Sequence, residues 1–157
     1  MKRILLAMTA LAGLALVPTS SLAADCDITV GLVMELTGPA GQYGQAGAKS
    51  VEMAFRDIND AGGVIDGCKL LTDTRDSQSQ GNVAVDAAAQ LVQVEKVPVL
   101  IGGIISSVSI PILTSVTGPA KVVQVSPASS SPTLSSSTNT RARSAAAAAP
   151  SCAARSH

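Results

Sequence analysis

Two short stretches carry most of the side chains that can hold a ligand. The first is "SPASSSPT", Ser126 to Thr133, in which five of eight residues bear hydroxyls and two are proline. Its composition fits a linker. Yet it follows directly on "KVVQV", Lys121 to Val125, which reads as a buried strand. A loop of hydroxyls held at a strand end is placed to grip something. The second stretch is "GGIISS". Its Ser106 and Ser107 lie where a helix should begin, beside unpaired backbone N–H groups at the positive end of the helix dipole. That is a seat for a carboxylate, or one of the two serines is simply an N-cap. On the other stretch, the hydroxyls of Ser129 and Ser130 and the carbonyl of Ala128 can accept hydrogen bonds from an ammonium. The two loops together suit a zwitterion such as an amino acid. Tyr43, the single tyrosine, either covers that ligand or packs at a helix start.

The remaining chemistry-bearing residues point away from catalysis. The one histidine is the terminal His157, and no HExxH, GxSxG or Walker loop occurs. Cys68 has no histidine near it to act as a base. Asp73 and Asp76, in "DTRDS", form an acid pair that could bind a metal or work as acid and base. Solvated loop acids beside Arg75 are the plainer reading. Neither a cofactor nor a metal is expected. Cys26 precedes one β-rich run and Cys68 another. If those runs are parallel neighbours, both cysteines lie at one edge of the sheet and a Cys26–Cys68 disulfide is geometrically reasonable.

The elements that must position these residues alternate. "ITVGLVM", Ile28 to Met34, is a β-rich apolar run, followed by the turn-rich "ELTGPAGQYG". A helix is predicted from about Tyr43 to Ala61, with apolar residues spaced by three and four and a glycine stop at Gly62 and Gly63. Strands follow at Lys69–Thr74, Val97–Gly103 and Lys121–Val125. Helices are expected at Asn82–Lys96 and from Ser106 or Ser107 to Gly118, with Pro111 as an interruption. Strands and helices alternating across short loops predict an α/β fold, a Rossmann-like parallel sheet with flanking helices. Ligands of such sheets sit beyond the carboxyl ends of the strands. Three loops leave those ends: 35–44, 102–107 and 126–133.

Composition narrows the partners. The 157 residues carry a formal net charge of zero and are 1% aromatic. With no basic stripe and almost no stacking side chains, nucleic acid is not an expected partner. At the amino end, Lys2 and Arg3 precede a 14-residue apolar run, Ile4–Val17, then Pro18 and the small residues "SLA". This order reads as a signal peptide over residues 1–24, cleaved near Ala23 or Ala24. Asp25 before Cys26 does not fit a lipidation site, so a soluble exported, periplasmic protein is expected. All eleven acids lie before Lys96. After about Ser135 the apolar periodicity stops, and residues 136–157 read as a disordered polar tail or as a frame shifted near Thr138 to Arg143.

The segment "ITVGLVMELTGPAGQYGQAGAKSVEMAFRDINDAGGV" resembles the opening of the type I periplasmic binding proteins of the leucine/isoleucine/valine-binding kind. "DTRDSQSQGNVAVDAAAQLV", "VPVLIGGIISS" and "VSPASSSPTL" follow in the family's order. The resemblance implies two Rossmann-like lobes with ligand between them, of which residues 25–135 match the first. It implies a substrate-binding component of an amino-acid ABC transporter, an aliphatic amino acid as ligand, and a membrane permease as partner. Carboxylate binding then falls on Ser106, ammonium binding on Ala128 and Ser130, and a cleft-lining place on Tyr43. The second lobe's motifs are not present, which fits a truncated or frame-shifted copy. Two other readings stand beside it: an exported single-domain interaction protein, and a flavodoxin-like enzyme.

Overall fold

The computed structural model describes residues 26–136. The expected leader, residues 1–24, and the expected tail from residue 137 on lie outside the described residues. Four strands, β1 (Ile28–Met34), β2 (Leu70–Asp76), β3 (Val99–Gly102) and β4 (Val123–Val125), form one parallel sheet in the order β2-β1-β3-β4. The helices are α1 (Gly41–Asp60), α2 (Gly81–Ala89), α3 (Ser106–Ile112), α4 (Gly118–Ala120) and α5 (Pro132–Ser136).

The alternation of β1 splits the core into two layers. Val30, Leu32 and Met34 face one side with Ala48 of α1, backed by Val51 and Phe55. Val33 faces the other, with Ala84, Ala88 and Leu91, Val108, Ile112 and Val116. Each layer covers one face of the sheet, so the central strand β1 is largely buried, while edge strand β2 stays partly exposed.

Several boundaries differ from the sequence expectation. Helix α1 starts two residues before Tyr43. Helix α2 does not run to Lys96; it widens into a π-helical turn at Gln90–Val94, and Lys96 adopts a positive φ of 58°. Helix α3 likewise passes into a π turn at Leu113–Thr117 and then into α4, so the helical path runs from Ser106 to Ala120. Pro111 sits inside α3. It cannot donate to the Ser107 carbonyl, yet its fixed φ suits the helix, and the helical path continues through it. Lys121 ends the path in a left-handed conformation, which delays β4 to Val123. "SPASSSPT" is not loop throughout, because Pro132 opens α5.

The chain moves from β1 to β2 on one side and then returns to β3 on the other. That switch opens a crevice at the carboxyl ends of β1 and β3, where open α/β sheets bind ligands. The register Ile28↔Leu70 also brings the residues two before each strand opposite one another. Those are Cys26 and Cys68, joined as a disulfide with Cα atoms 4.9 Å apart.

Candidate ligand site at the carboxyl rim

The loops after β1, β3 and β4 converge at this rim. Helix α3 has Ile105 at its N-cap with no side-chain cap. Neither serine is the cap, contrary to one sequence reading; Ser106 and Ser107 are the first two helical residues. The helix bonds begin with the N–H groups of Val108 and Ser109, both donating to the Ile105 carbonyl. Among the described residues, no acceptor takes the N–H of Ser106 or Ser107. Ser107 is exposed and Ser106 half-buried. The Ser106 Oγ accepts the backbone N–H of Ser131 at 3.2 Å, which leaves its own O–H to donate elsewhere.

The hydroxyls of "SPASSSPT" divide into two groups. Ala128 and Ser130 are exposed on the rim. Ser126 and Ser129 are buried, Ser129 at 3% exposure. The expected rim role for the Ser129 hydroxyl does not fit this placement. It bonds inward to Ser109 Oγ and reaches the carbonyls of Gly103 and Ile104 at 3.3 Å. Ser126 Oγ donates to the Gly103 carbonyl at 2.6 Å and accepts the Ser129 N–H at 3.1 Å. Ser109 Oγ donates to the same Gly103 carbonyl at 2.8 Å. This hydroxyl cluster clamps the loop after β4 onto the turn after β3. Beneath it, the buried Gln124 donates to the carbonyls of Gly102 and Ser109 and accepts from Thr117. A buried amide with three partners is satisfied and fixes its neighbours.

Tyr43 stands on the first turn of α1 with 69% of its surface exposed. It does not pack into the core, so it is available to a molecule on the rim. Asp73 and Asp76 separate in role. Asp73 pairs with Arg75 through Nε and Nη2, each contact 2.9 Å. Asp76 accepts from the N–H groups of Leu36, Thr37 and Gln78 and from the Thr37 hydroxyl. Burial alone would raise its carboxyl pKa, but the bonds from the Thr37 hydroxyl and from the Gln78, Thr37 and Leu36 amides outweigh it and hold it below the ordinary value. Asp76 therefore ties the loop after β2 to the loop after β1, and it is neither a plain solvated acid nor part of an acid–base pair.

Sequence reasoning missed Glu35, Ser109, Ser126 and Gln124 as organisers of the rim. For Gln124 and Glu35 the signal was present: each is a single polar residue in, or directly after, an apolar strand. A cavity of about 380 Å³ lies elsewhere, along edge strand β2 against α1, lined by Glu52, Phe55, Arg56 and Lys69 among others. The rim itself is an open surface of donors and acceptors.

A family model described as periplasmic binding protein matches residues 27–155. The chain belongs to the periplasmic binding protein family. The Leu/Ile/Val-binding protein BraC3 of Rhizobium johnstonii is 32% identical over 129 residues, 82% of this chain and 33% of that protein. The Leu/Ile/Val-binding protein homolog 3 of Brucella melitensis is 33% identical over 112 residues, 71% of this chain and 30% of the relative. Among solved structures, the branched-chain amino acid transporter substrate-binding protein LivJ of Streptococcus pneumoniae, in complex with isoleucine, superposes with a TM-score of 0.64 at 28% identity, covering 67% of this chain and 30% of that one. The chain thus spans about a third of the length of the curated relatives it matches.

Proposed function

We propose that this periplasmic binding protein chain forms one wall of a binding site for an aliphatic amino acid, as the substrate-binding component of a branched-chain amino-acid ABC transporter. The observation that carries the reading is the pairing of two chemistries on adjoining loops. The free N–H groups of Ser106 and Ser107, with the Ser106 hydroxyl, suit a carboxylate. The exposed Ala128 carbonyl and Ser130 hydroxyl suit an ammonium. The Ser106–Ser131 bond holds the two loops together. Tyr43 covers the bound molecule from α1. Relatives named for leucine, isoleucine and valine, and a similar structure solved with isoleucine, support the aliphatic class. The leader at residues 1–24 and the family support export to the periplasm, where a membrane permease would receive the loaded protein.

The test is thermal unfolding and calorimetry of the chain with L-leucine, L-isoleucine and L-valine. Each is expected to raise the melting temperature by an amount that grows with the logarithm of its concentration over its Kd. Leucinol and isocaproate, each lacking one charged end of leucine, are expected to do so much less. No shift with any amino acid would refute the reading.

A further inference from the structure

We propose that Glu35 is a positioning residue for the carboxylate seat, acting through the turn that precedes Ser106. The inference rests on the binding reading above and adds a residue to it. Glu35 is the first residue after β1 and is 0% exposed. Among the described residues no cation pairs with it; the one ion pair there is Arg75–Asp73. Its partners are backbone N–H groups far away in sequence. The Ile104 N–H lies 3.1 and 3.0 Å from its two oxygens, and the Ile105 N–H lies 3.2 Å from Oε1.

A carboxylate buried without a counter-ion is costly unless hydrogen bonds replace its lost water. The surroundings are shaped for it. A Cβ on Gly103 would lie 2.9 Å from Oε1, and a Cβ on Gly44 would lie 2.0 Å from the Glu35 carbonyl oxygen. Gly103, whose Cβ would also meet Val108 at 2.5 Å, thus leaves space beside the carboxylate, and Gly44 lets α1 approach the backbone of residue 35.

The N–H groups that Glu35 takes are those of Ile104 and Ile105. The N–H groups left without an acceptor are the next two, on Ser106 and Ser107. By occupying the first pair, Glu35 fixes the rotation of the turn and leaves the second pair to an incoming carboxylate. Electrostatics makes the test one-directional. Neutralising Glu35 would by itself favour a second carboxylate nearby, so weaker carboxylate binding in Glu35→Gln can come only from lost positioning.

The experiment is calorimetry of the unaltered chain and of Glu35→Gln with L-leucine and with L-leucinol, which keeps the ammonium and side chain but has no carboxylate. Amide exchange at Ile104 and Ile105 is followed alongside. The expected result is about tenfold weaker leucine binding, equivalent to about 1.4 kcal/mol, with leucinol changed by less than about twofold and faster exchange at both amides. If Glu35→Gln does not fold, Glu35→Asp, which keeps the charge but withdraws it, is expected to give the same split. Unchanged leucine affinity, equal losses for both ligands, or unchanged exchange would overturn the proposal. An unaltered chain that binds no leucine would instead defeat the binding reading itself, and this inference with it.

Discussion

Ser106 and Ser131 are 25 residues apart, yet the backbone N–H of Ser131 donates to Ser106 Oγ at 3.2 Å. One bond therefore joins the loop after β4 to the start of α3. With the buried cluster of Ser109, Ser126 and Ser129, it fixes the spacing between the proposed carboxylate seat and the proposed ammonium acceptors.

The three serines of interest are expected to separate by assay. Ser106→Ala and Ser130→Ala should each weaken leucine binding about tenfold, one charge-assisted hydrogen bond each; Ser130→Ala should change stability little, whereas Ser106→Ala also loses the bond from the Ser131 N–H, about 1 kcal/mol. Ser129→Ala should do the reverse. Its hydroxyl is buried in the cluster with Ser109 and two carbonyls, so it should cost about 2 kcal/mol of stability. Calorimetry and urea unfolding of the three variants check the contrast.

Asp76 makes stability depend on acid. Its carboxyl pKa is lowered in the fold, so the unfolded chain takes up a proton first as pH falls. The stabilisation is complete above the ordinary carboxylate value and is lost as pH drops through the lowered folded value. Asp76→Asn is expected to lose about 1–2 kcal/mol at neutral pH and to show a flatter acid limb. Urea midpoints between pH 2 and 7 measure both.

The Cys26–Cys68 bridge closes a loop with a sequence separation of 42. Constraining a loop of that length in the unfolded chain contributes about 4 kcal/mol. Cys26→Ser with Cys68→Ser, or reduction, should lower the urea midpoint accordingly. Leucine affinity should hold, because the bridge lies at the amino ends of β1 and β2, across the sheet from the rim.

Gln124→Ala is expected to cost about 3 kcal/mol, since it leaves a cavity and removes the buried amide's bonds to the Thr117 hydroxyl and to the Gly102 and Ser109 carbonyls. It also loosens the support beneath Gly102 and Ser109. Leucine binding should therefore weaken even at temperatures where the variant is folded. Calorimetry well below its melting temperature reads that effect.

Local pattern determined much of this protein. The apolar β-rich run of β1, the three-and-four spacing of α1 and the short connections were sufficient for a parallel α/β sheet, because each is set by residues near in sequence. The same logic placed three loops beyond the carboxyl ends of the strands. Tertiary structure decided what the pattern could not. Whether a hydroxyl in "SPASSSPT" faces the rim or the interior depends on β4 lying beside β3, which turns Ser126 and Ser129 toward the Gly103 carbonyl and leaves Ser130 outside. Glu35 stands out locally only as an acid directly after an apolar strand. Only the crossing that sets β1 beside β3 brings the Ile104 and Ile105 amides to its carboxylate. Hydrogen bonds spanning 15 to 70 residues leave no periodic trace in sequence, and in this protein they hold the candidate site together.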